Sequence, residues 1–358
     1  MRHIAVIGGG IAGLTVAFRR SRLGDRVTLF EGSARLGGQL YTEQRGSFLI
    51  EHGAEGYVAG SEAVAALAGS LGIAEAVLDQ RVTDSCHFDG ETLVRLAPGQ
   101  AGKLLGFQVA PRALGKGIQS FRLGMSQLVE TLESRLGPEA RCLRNAEITR
   151  LGRVGSQWEL QGPGGLSEAA DCVVVATSAA RAAALLAPDF GAAATVLGSS
   201  EALSSVTVSL AFPRADVAHA LDATGFVVAE SAQAEGFRAC TFASSKLPGR
   251  ASPEFALLRL FFRPTSDELS AMDDAAWVSR AERCAGRALS IGASASASWV
   301  SRWERALPVF DAGHRDRVRL LDERLHGSGV SLAGAAFHGA GIDGAVRSAE
   351  AAASRLDL

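Results

Sequence analysis

The sequence predicts an α/β protein: a Rossmann-like parallel-sheet domain interrupted by a second, α+β domain built on an antiparallel sheet. Three observations predict it. Ile4-Ala5-Val6-Ile7, the turn Gly8-Gly9-Gly10-Ile11-Ala12-Gly13, a helical stretch to Leu23 and Val27-Thr28-Leu29-Phe30-Glu31 make a strand, turn, helix and strand. Residues 200–300 change texture to alternating or unbroken apolar runs separated by turns. Val330 to Gly334 then reads as a strand again, followed by the turn Gly339 to Gly344 and a helix from Ala345 to Leu356. The first domain is therefore expected from 1–56, 122–187 and 326–358, and the second from 57–121 and 188–325.

The opening unit suits a dinucleotide. Gly8 lets the chain turn sharply out of the strand, Gly10 lets a pyrophosphate approach the backbone, and Gly13 lets the helix pack close to the sheet. The helix begins at Ile11 and Ala12 and points free N–H groups and the positive end of its dipole at the phosphates. Glu31 follows Gly13 by 18 residues and ends the second strand. A carboxylate there accepts hydrogen bonds from the two ribose hydroxyls and repels a 2′-phosphate, so NADP is not expected. FAD and NAD both remain open at this point.

Composition narrows the class. Hydrophobic residues make up 47% and charged residues 21% of the 358-residue chain, the balance of a globular protein with a sizeable core. A net charge of −2 with mixed signs gives no footprint for nucleic acid. The five cysteines, Cys86, Cys142, Cys172, Cys240 and Cys284, form no CxxC pair, which argues against a disulfide framework, a zinc site or a redox dithiol; no metal is expected. The first residues run straight into a strand, so no signal peptide is expected. The apolar stretches fall short of a membrane span. A cytoplasmic protein is the default expectation.

After Glu31 comes Gly32-Ser33-Ala34-Arg35-Leu36-Gly37-Gly38-Gln39. A second glycine pair is not needed for NAD. In FAD-binding proteins of the two-dinucleotide fold, such a pair follows the ribose carboxylate and lets the chain run beside pyrophosphate and flavin. Arg35 could pair with a phosphate or lie along the adenosine, and Gln39 keeps a donor where an arginine is common. Arg45 to Glu51 reads as a strand, with His52-Gly53-Ala54 as a turn passing close to a flavin. Residues 61–79 read as two short helices broken at Gly72, and 84–96 as a hairpin around Asp89-Gly90. Residues 97–121 read as a connecting segment.

Gly124 to Leu132 reads as an amphipathic helix with Ser126 as N-cap. Glu147 to Leu151, Trp158 to Gln161 and Asp171 to Ala176 read as a meander ending in a buried parallel strand, Val173-Val174-Val175-Ala176-Thr177. Ala179 to Leu186 reads as a helix. Val206 to Phe212, Gly225 to Ala229, Arg238 to Ala243 and Phe255 to Phe262 read as an antiparallel sheet, and Asp273 to Leu289 as a helix.

As a whole the chain resembles the FAD-dependent amine oxidase superfamily, and several stretches look like its protoporphyrinogen oxidase branch. The resemblance rests on Gly8 to Gln39, on Ser244-Ser245-Lys246-Leu247-Pro248-Gly249-Arg250-Ala251 before the run Ala256 to Phe261, and on Arg302-Trp303-Glu304-Arg305-Ala306-Leu307-Pro308 followed by Gly313-His314. It implies FAD as cofactor. It also implies that Ile148 contacts adenine through its backbone, that Ala176 and Thr177 pass near ribose and pyrophosphate, and that Trp303 lies near the flavin. Gly334, Gly341, Ile342, Asp343 and Ala345 match the family's final strand, turn and helix, aimed at the flavin pyrimidine. The chain departs from the family in a short segment between the glycine pair and Gly124, so the helical lobe that roofs the substrate and contacts membranes is expected to be reduced, weakening any peripheral membrane contact. Ala335-Ala336 also stand where the family carries Asn-Ser.

No second nucleotide fingerprint is present to hold a nicotinamide. Phe337 and His338, before the last glycine turn, are the expected residues to meet a substrate, with Lys246, Arg250 and His314 as further candidates. Three readings follow: an FAD-dependent oxidase or dehydrogenase acting on a porphyrinogen; the same chemistry on a bulky or carrier-bound metabolite; and a non-redox isomerase or binding protein that keeps FAD as a structural piece.

Overall fold

The computed structural model describes residues 1–97, 99–105 and 116–356. At its centre lies a five-stranded, wholly parallel sheet in the order Ala140–Leu143, Arg26–Phe30, His3–Ile7, Cys172–Val175, Val330–Leu332. The unbroken apolar character of Cys172–Val175 follows from this position, because a parallel sheet is covered on both faces. Alternation along His3–Ile7 sends Ile4 and Val6 to one face and Ala5 and Ile7 to the other. The first face is covered by the helices Ile11–Arg22, Glu62–Leu71, Ser126–Ser134 and Gly341–Arg355. The second carries the meander Arg150–Val154, Gln157–Gln161, Ser167–Ala170 and the helices Ala179–Leu186 and His314–Leu325.

A seven-stranded sheet runs Ala297–Pro308, Ala202–Pro213, Phe255–Phe262, Phe237–Phe242, Gly225–Val228, Ser85–Phe88, Leu93–Leu96. Its strands pair antiparallel except Gly225–Val228 with Ser85–Phe88. Val206, Val208, Leu210, Leu258, Leu260 and Phe262 pack beneath the helix Asp274–Leu289, which Asp273 caps by accepting the Ala276 N–H at 2.8 Å. By the same alternation, Thr207 and Arg259 lie on the opposite face, toward the parallel-sheet unit.

Several expected elements differ. Residues 45–51 are not one strand but the second half of a hairpin, Thr42–Arg45 with Phe48–Glu51, turning at Gly46 with φ +56°. The second helix expected before residue 79 is a single 3-10 turn, Ala74–Ala76. Beyond it Val77–Asp79 pairs with Ile118–Phe121, so tertiary pairing overrides local propensity. That strand and the helix Gln100–Leu104 lie in what read as a connecting segment, of which 98 and 106–115 fall outside the described residues. Ser126 is not an N-cap: its hydroxyl accepts the Thr42 N–H and its own N–H goes to Thr42 Oγ1, locking the helix to the hairpin. The strand expected at 147–151 is Arg150–Val154, and the last helix starts at Gly341. Ala297–Pro308 and His314–Leu325 are elements the sequence did not disclose. Glu62–Leu71 and His314–Leu325, expected in the second domain, pack on the parallel sheet's side.

Candidate functional site

The glycine turn is built for close approach. Gly8 has φ +108°, and a Cβ there or on Gly13 would collide with the carbonyl oxygens of Ala176 and Gly8 respectively. In front of Gly10 there is open space, with nothing within 4 Å of where a side chain would start. Gly10 begins the helix Ile11–Arg22 without a side-chain cap, leaving backbone donors at its positive end. Glu31 accepts the Gly9 N–H and the Ser33 N–H at 2.8 Å each. A carboxylate has about four acceptor positions, so both oxygens retain capacity for hydroxyl donors. Beside it opens a cavity of about 130 Å³ whose walls include Gly8, Glu31, Gly32, Ile148 and Thr177. Five expected cofactor residues thus meet in one place. Arg181, at the same cavity and paired with Glu147, was not foreseen.

From this cavity a corridor of glycine backbone leads on. Gly37 pairs with Gly10 in a parallel bridge and donates its N–H to Gly9 at 2.8 Å. Gly38 lies so close to Gly10 that a Cβ would come within 3.3 Å of its Cα. Next, the Gln39 carbonyl accepts the Ala54 N–H at 2.9 Å and leaves no room for a side chain on Gly53. Arg35 turns away from open solvent: its guanidinium lies 4.3 Å from the Tyr41 ring centre and donates to the Gly38 carbonyl at 2.7 Å. Gln39 donates through its side chain to the Ala306 carbonyl at 2.7 Å.

Three side chains of the seven-stranded sheet converge on the turn that ends this corridor. The His52 carbonyl accepts from Trp303 Nε1 at 2.8 Å, Arg259 Nη2 at 3.2 Å and Thr207 Oγ1 at 3.3 Å, and Arg259 also donates to the Gly53 carbonyl. The His52 ring stacks on Tyr41 and bonds to Ser301 and Glu43; burial, foremost, holds its pKa below the usual value. Behind the turn sits a buried cluster of Glu51, Glu55, Lys246, Arg250 and Arg259. Burial pushes the Glu51 carboxyl up to about 7, although Arg250 at 3.7 Å, Thr42 and the Met125 N–H favour its charged form.

At the chain's far end, Gly334 has φ +132° and Gly341 φ +74°. The helix Gly341–Arg355 starts without a side-chain cap. It runs parallel to Ile11–Arg22: Arg19 pairs with Glu350 at 2.7 Å and Arg20 donates to the Ala353 carbonyl at 3.2 Å, joining their last turns. Both positive ends therefore lie at the same end of the pair. Ile342 and Ala345 are buried in the core between them. The Asp343 carboxylate is turned to other partners, accepting the Ala63 and Val64 N–H groups and pairing with Arg347 at 2.5 Å.

The expected substrate-facing residues need correction. Phe337 is 2% exposed and fills the core beneath the parallel sheet. His338 engages both ring nitrogens, with Ser348 and Asp322 at 2.9 Å each, and joins the last two helices. His314 is buried and its Nε2 meets the Phe337 carbonyl at 2.8 Å. These three are held by the fold. Lys246 lies behind the turn that ends the corridor, as the partner of Glu55. Arg250 is 1% exposed and donates to Ser120 at 2.7 Å. Sequence reasoning missed Glu51, Glu55 and Arg259; the charge in the middle of the apolar run Ala256 to Phe261 was the signal that could have found the last.

Comparison with known proteins agrees with this geometry. Residues 100–357 match the family described as flavin containing amine oxidoreductase, and residues 6–71 match the NAD(P)-binding Rossmann-like domain. The coproporphyrinogen III oxidase of Bacillus subtilis (strain 168) is 22% identical over 461 aligned positions, covering 99% of this chain and 97% of the relative. That alignment is longer than this 358-residue chain, so the excess falls as gaps in it. The coproporphyrinogen III oxidase of Propionibacterium freudenreichii is 28% identical over 66% of this chain and 44% of the relative. Among solved structures, a protein of Exiguobacterium sp. 255-15 provisionally named protoporphyrinogen oxidase superposes with TM-score 0.83 at 22% identity, covering 100% and 99% of the two chains. Cyclohexylamine oxidase from Brevibacterium oxydans gives 0.75 at 15%, covering 99% and 98%. No helix of the described residues is long and apolar enough to cross a membrane.

Proposed function

Because this chain belongs to the flavin containing amine oxidoreductase family, we propose that it oxidises a porphyrinogen, with the glycine corridor holding its FAD. It is an FAD-dependent oxidoreductase of the protoporphyrinogen-oxidase type. The observation that carries the assignment of residues is the run of close backbone contacts that leads from the cavity at Glu31, past Gly10 and Gly37, to the turn at Gly53.

Along that path each residue has a role set by its chemistry. Glu31 takes the ribose hydroxyls, with Gly32, Ile148, Ala176 and Thr177 around the adenosine. The uncapped start of Ile11–Arg22, with Gly8, Gly10, Ile11, Ala12 and Gly13, faces the diphosphate. Gly37, Gly38, Gln39, Gly53 and Ala54 line the onward path, with Trp303 and Arg35 closing its edge. The start of Gly341–Arg355, with Gly334, Gly341, Ile342, Asp343 and Ala345, takes the pyrimidine end, where a helix N-terminus favours negative charge. Bound there, FAD supplies an acceptor for hydride from a C–C or C–N bond of the substrate, with oxygen or another acceptor taking the electrons on. We divide the chain accordingly into an FAD-binding unit and an inserted substrate unit, and place it in the cytoplasm.

The relatives named coproporphyrinogen III oxidase support a tetrapyrrole substrate. The gaps against the Bacillus relative favour one second reading, in which a more open site admits a bulky or carrier-bound substrate. The test is direct: purified protein is expected to carry a yellow flavin that bleaches anaerobically with a porphyrinogen. A protein that takes up no flavin overturns the cofactor site, and a flavin that stays oxidised overturns the substrate.

A further inference from the structure

The buried cluster behind the His52-Gly53 turn is not charge-balanced. It contains three cations, Lys246, Arg250 and Arg259, against two carboxylates, Glu51 and Glu55. Lys246 is taken by Glu55, and Arg250 lies 3.7 Å from Glu51 while donating to Ser120 and to the Phe121 carbonyl. Arg259, 4% exposed, has no carboxylate within ion-pair distance among the described residues. Its donors go to the His52 and Gly53 carbonyls instead. A buried cation with no directly paired counter-ion, only Glu55 and Glu51 at longer range, is costly to the fold and acts strongly on any negative charge nearby. The carbonyls it grips belong to the turn whose Gly53 is wedged against Gln39, in line with the glycine pair and the first helix.

We infer that Arg259 is a positioning residue for the flavin: it fixes the His52-Gly53 turn at the end of the corridor and sets behind it an only partly neutralised cation that favours electron uptake. This rests on the reading of the corridor as the FAD site. Alternation along Phe255–Phe262 explains the placement. Leu258 and Leu260 enter the core under the helix Asp274–Leu289, so Arg259 emerges on the face that meets the turn, opposite Ser209 on the neighbouring strand. Thr207 and Trp303 donate to the same His52 carbonyl, but neither carries charge. Burial acts to raise the Glu55 pKa, yet Lys246 and Arg259 outweigh it and hold the carboxyl below its usual range, so Glu55 offsets part of the positive charge.

The charge argument makes opposite predictions for two positions. In FAD-loaded protein, Arg259→Met is expected to lower the flavin midpoint potential by at least a tenfold change in the two-electron equilibrium, about 30 mV. Glu55→Gln, which leaves Arg259 in place, is expected to raise it. Arg259→Lys should restore most of the Arg259→Met loss, and Thr207→Val, which removes a neutral bond to the same carbonyl without changing charge, should move the potential less than Arg259→Met does. If Arg259→Met does not fold, the sign of the Glu55→Gln shift decides. Unmoved potentials in FAD-loaded variants overturn this inference alone, whereas wild-type protein that binds no FAD overturns the corridor assignment beneath it.

Discussion

The carboxylate of Glu31 accepts the backbone N–H of Gly9 at 2.8 Å, tying the end of the second strand to the glycine turn. In the function proposed above the same group receives the ribose of FAD, so it would serve both the turn and the ligand. Hydrogen bonds to a charged group contribute roughly 1.5–3 kcal/mol each. Glu31→Ala is therefore expected to weaken FAD binding by about one to two orders of magnitude, read from recovery of flavin fluorescence on dilution. Unchanged affinity would remove Glu31 from the site.

Gly13 tests the turn from the other side. A Cβ at this position would collide with the Gly8 carbonyl, which is backbone and cannot step aside. Gly13→Val is expected to destabilise the protein by roughly 1–3 kcal/mol or more and to abolish flavin retention. Gly24, just past the end of the same helix and with nothing within 4 Å, supplies the control: changes there should leave flavin retention intact, despite its φ of +90°.

His338 separates a catalytic from a structural role. Its ring joins Asp322 on one terminal helix to Ser348 on the other, and Arg355 also pairs with Asp322 at 2.7 Å. His338→Ala removes two hydrogen bonds while Asp322 keeps Arg355 and Ser348 keeps the Gly334 N–H, at a cost of roughly 0.5–1.5 kcal/mol per bond lost. The expected result is a lower Tm with the rate of flavin reduction unchanged. A collapse in rate with wild-type Tm would return His338 to the chemistry.

Much of this architecture was legible in sequence. The strand, turn and helix of residues 3–22 read directly, because a parallel strand covered on both faces must be apolar throughout and the glycines answer steric needs. Phe255–Phe262 and Ala179–Leu186 were legible for similar local reasons. Ala297–Pro308 was not, because one edge strand with half-exposed positions carries little apolar signal. Phe337 and His338 misled because nearness in sequence to the last glycine turn says nothing about the direction of a side chain. One points into the core and the other is held between two helices. The cluster around Glu51 was hidden for a different reason: its members come from three separate stretches of chain, 51–55, 246–250 and 259, and meet only when the hairpin ending at Glu51 packs against the seven-stranded sheet.

That cluster gives a pH signature. Burial raises the folded-state pKa of Glu51 from an ordinary 4.5 to about 7. The folded protein then binds this proton more tightly than the unfolded chain does. Its contribution is fully present below about 4.5 and is lost as pH rises toward 7. The loss amounts to roughly 3 kcal/mol from a shift of this size. Chemical denaturation of wild type across this window, compared with Glu51→Gln, should show a decline that flattens in the variant. Equal slopes would mean that Glu51 stays charged beside Arg250.

The central claim is that the corridor from Glu31 to Gly53 carries an FAD that oxidises a porphyrinogen. The most direct measurement mixes FAD-loaded protein with coproporphyrinogen III or protoporphyrinogen IX in air and follows porphyrin fluorescence against a protein-free control. The account predicts fluorescence rising well above autoxidation, and falling back to it in Glu31→Ala stripped of flavin. A flavin-loaded protein that gives no rise with either porphyrinogen would contradict it.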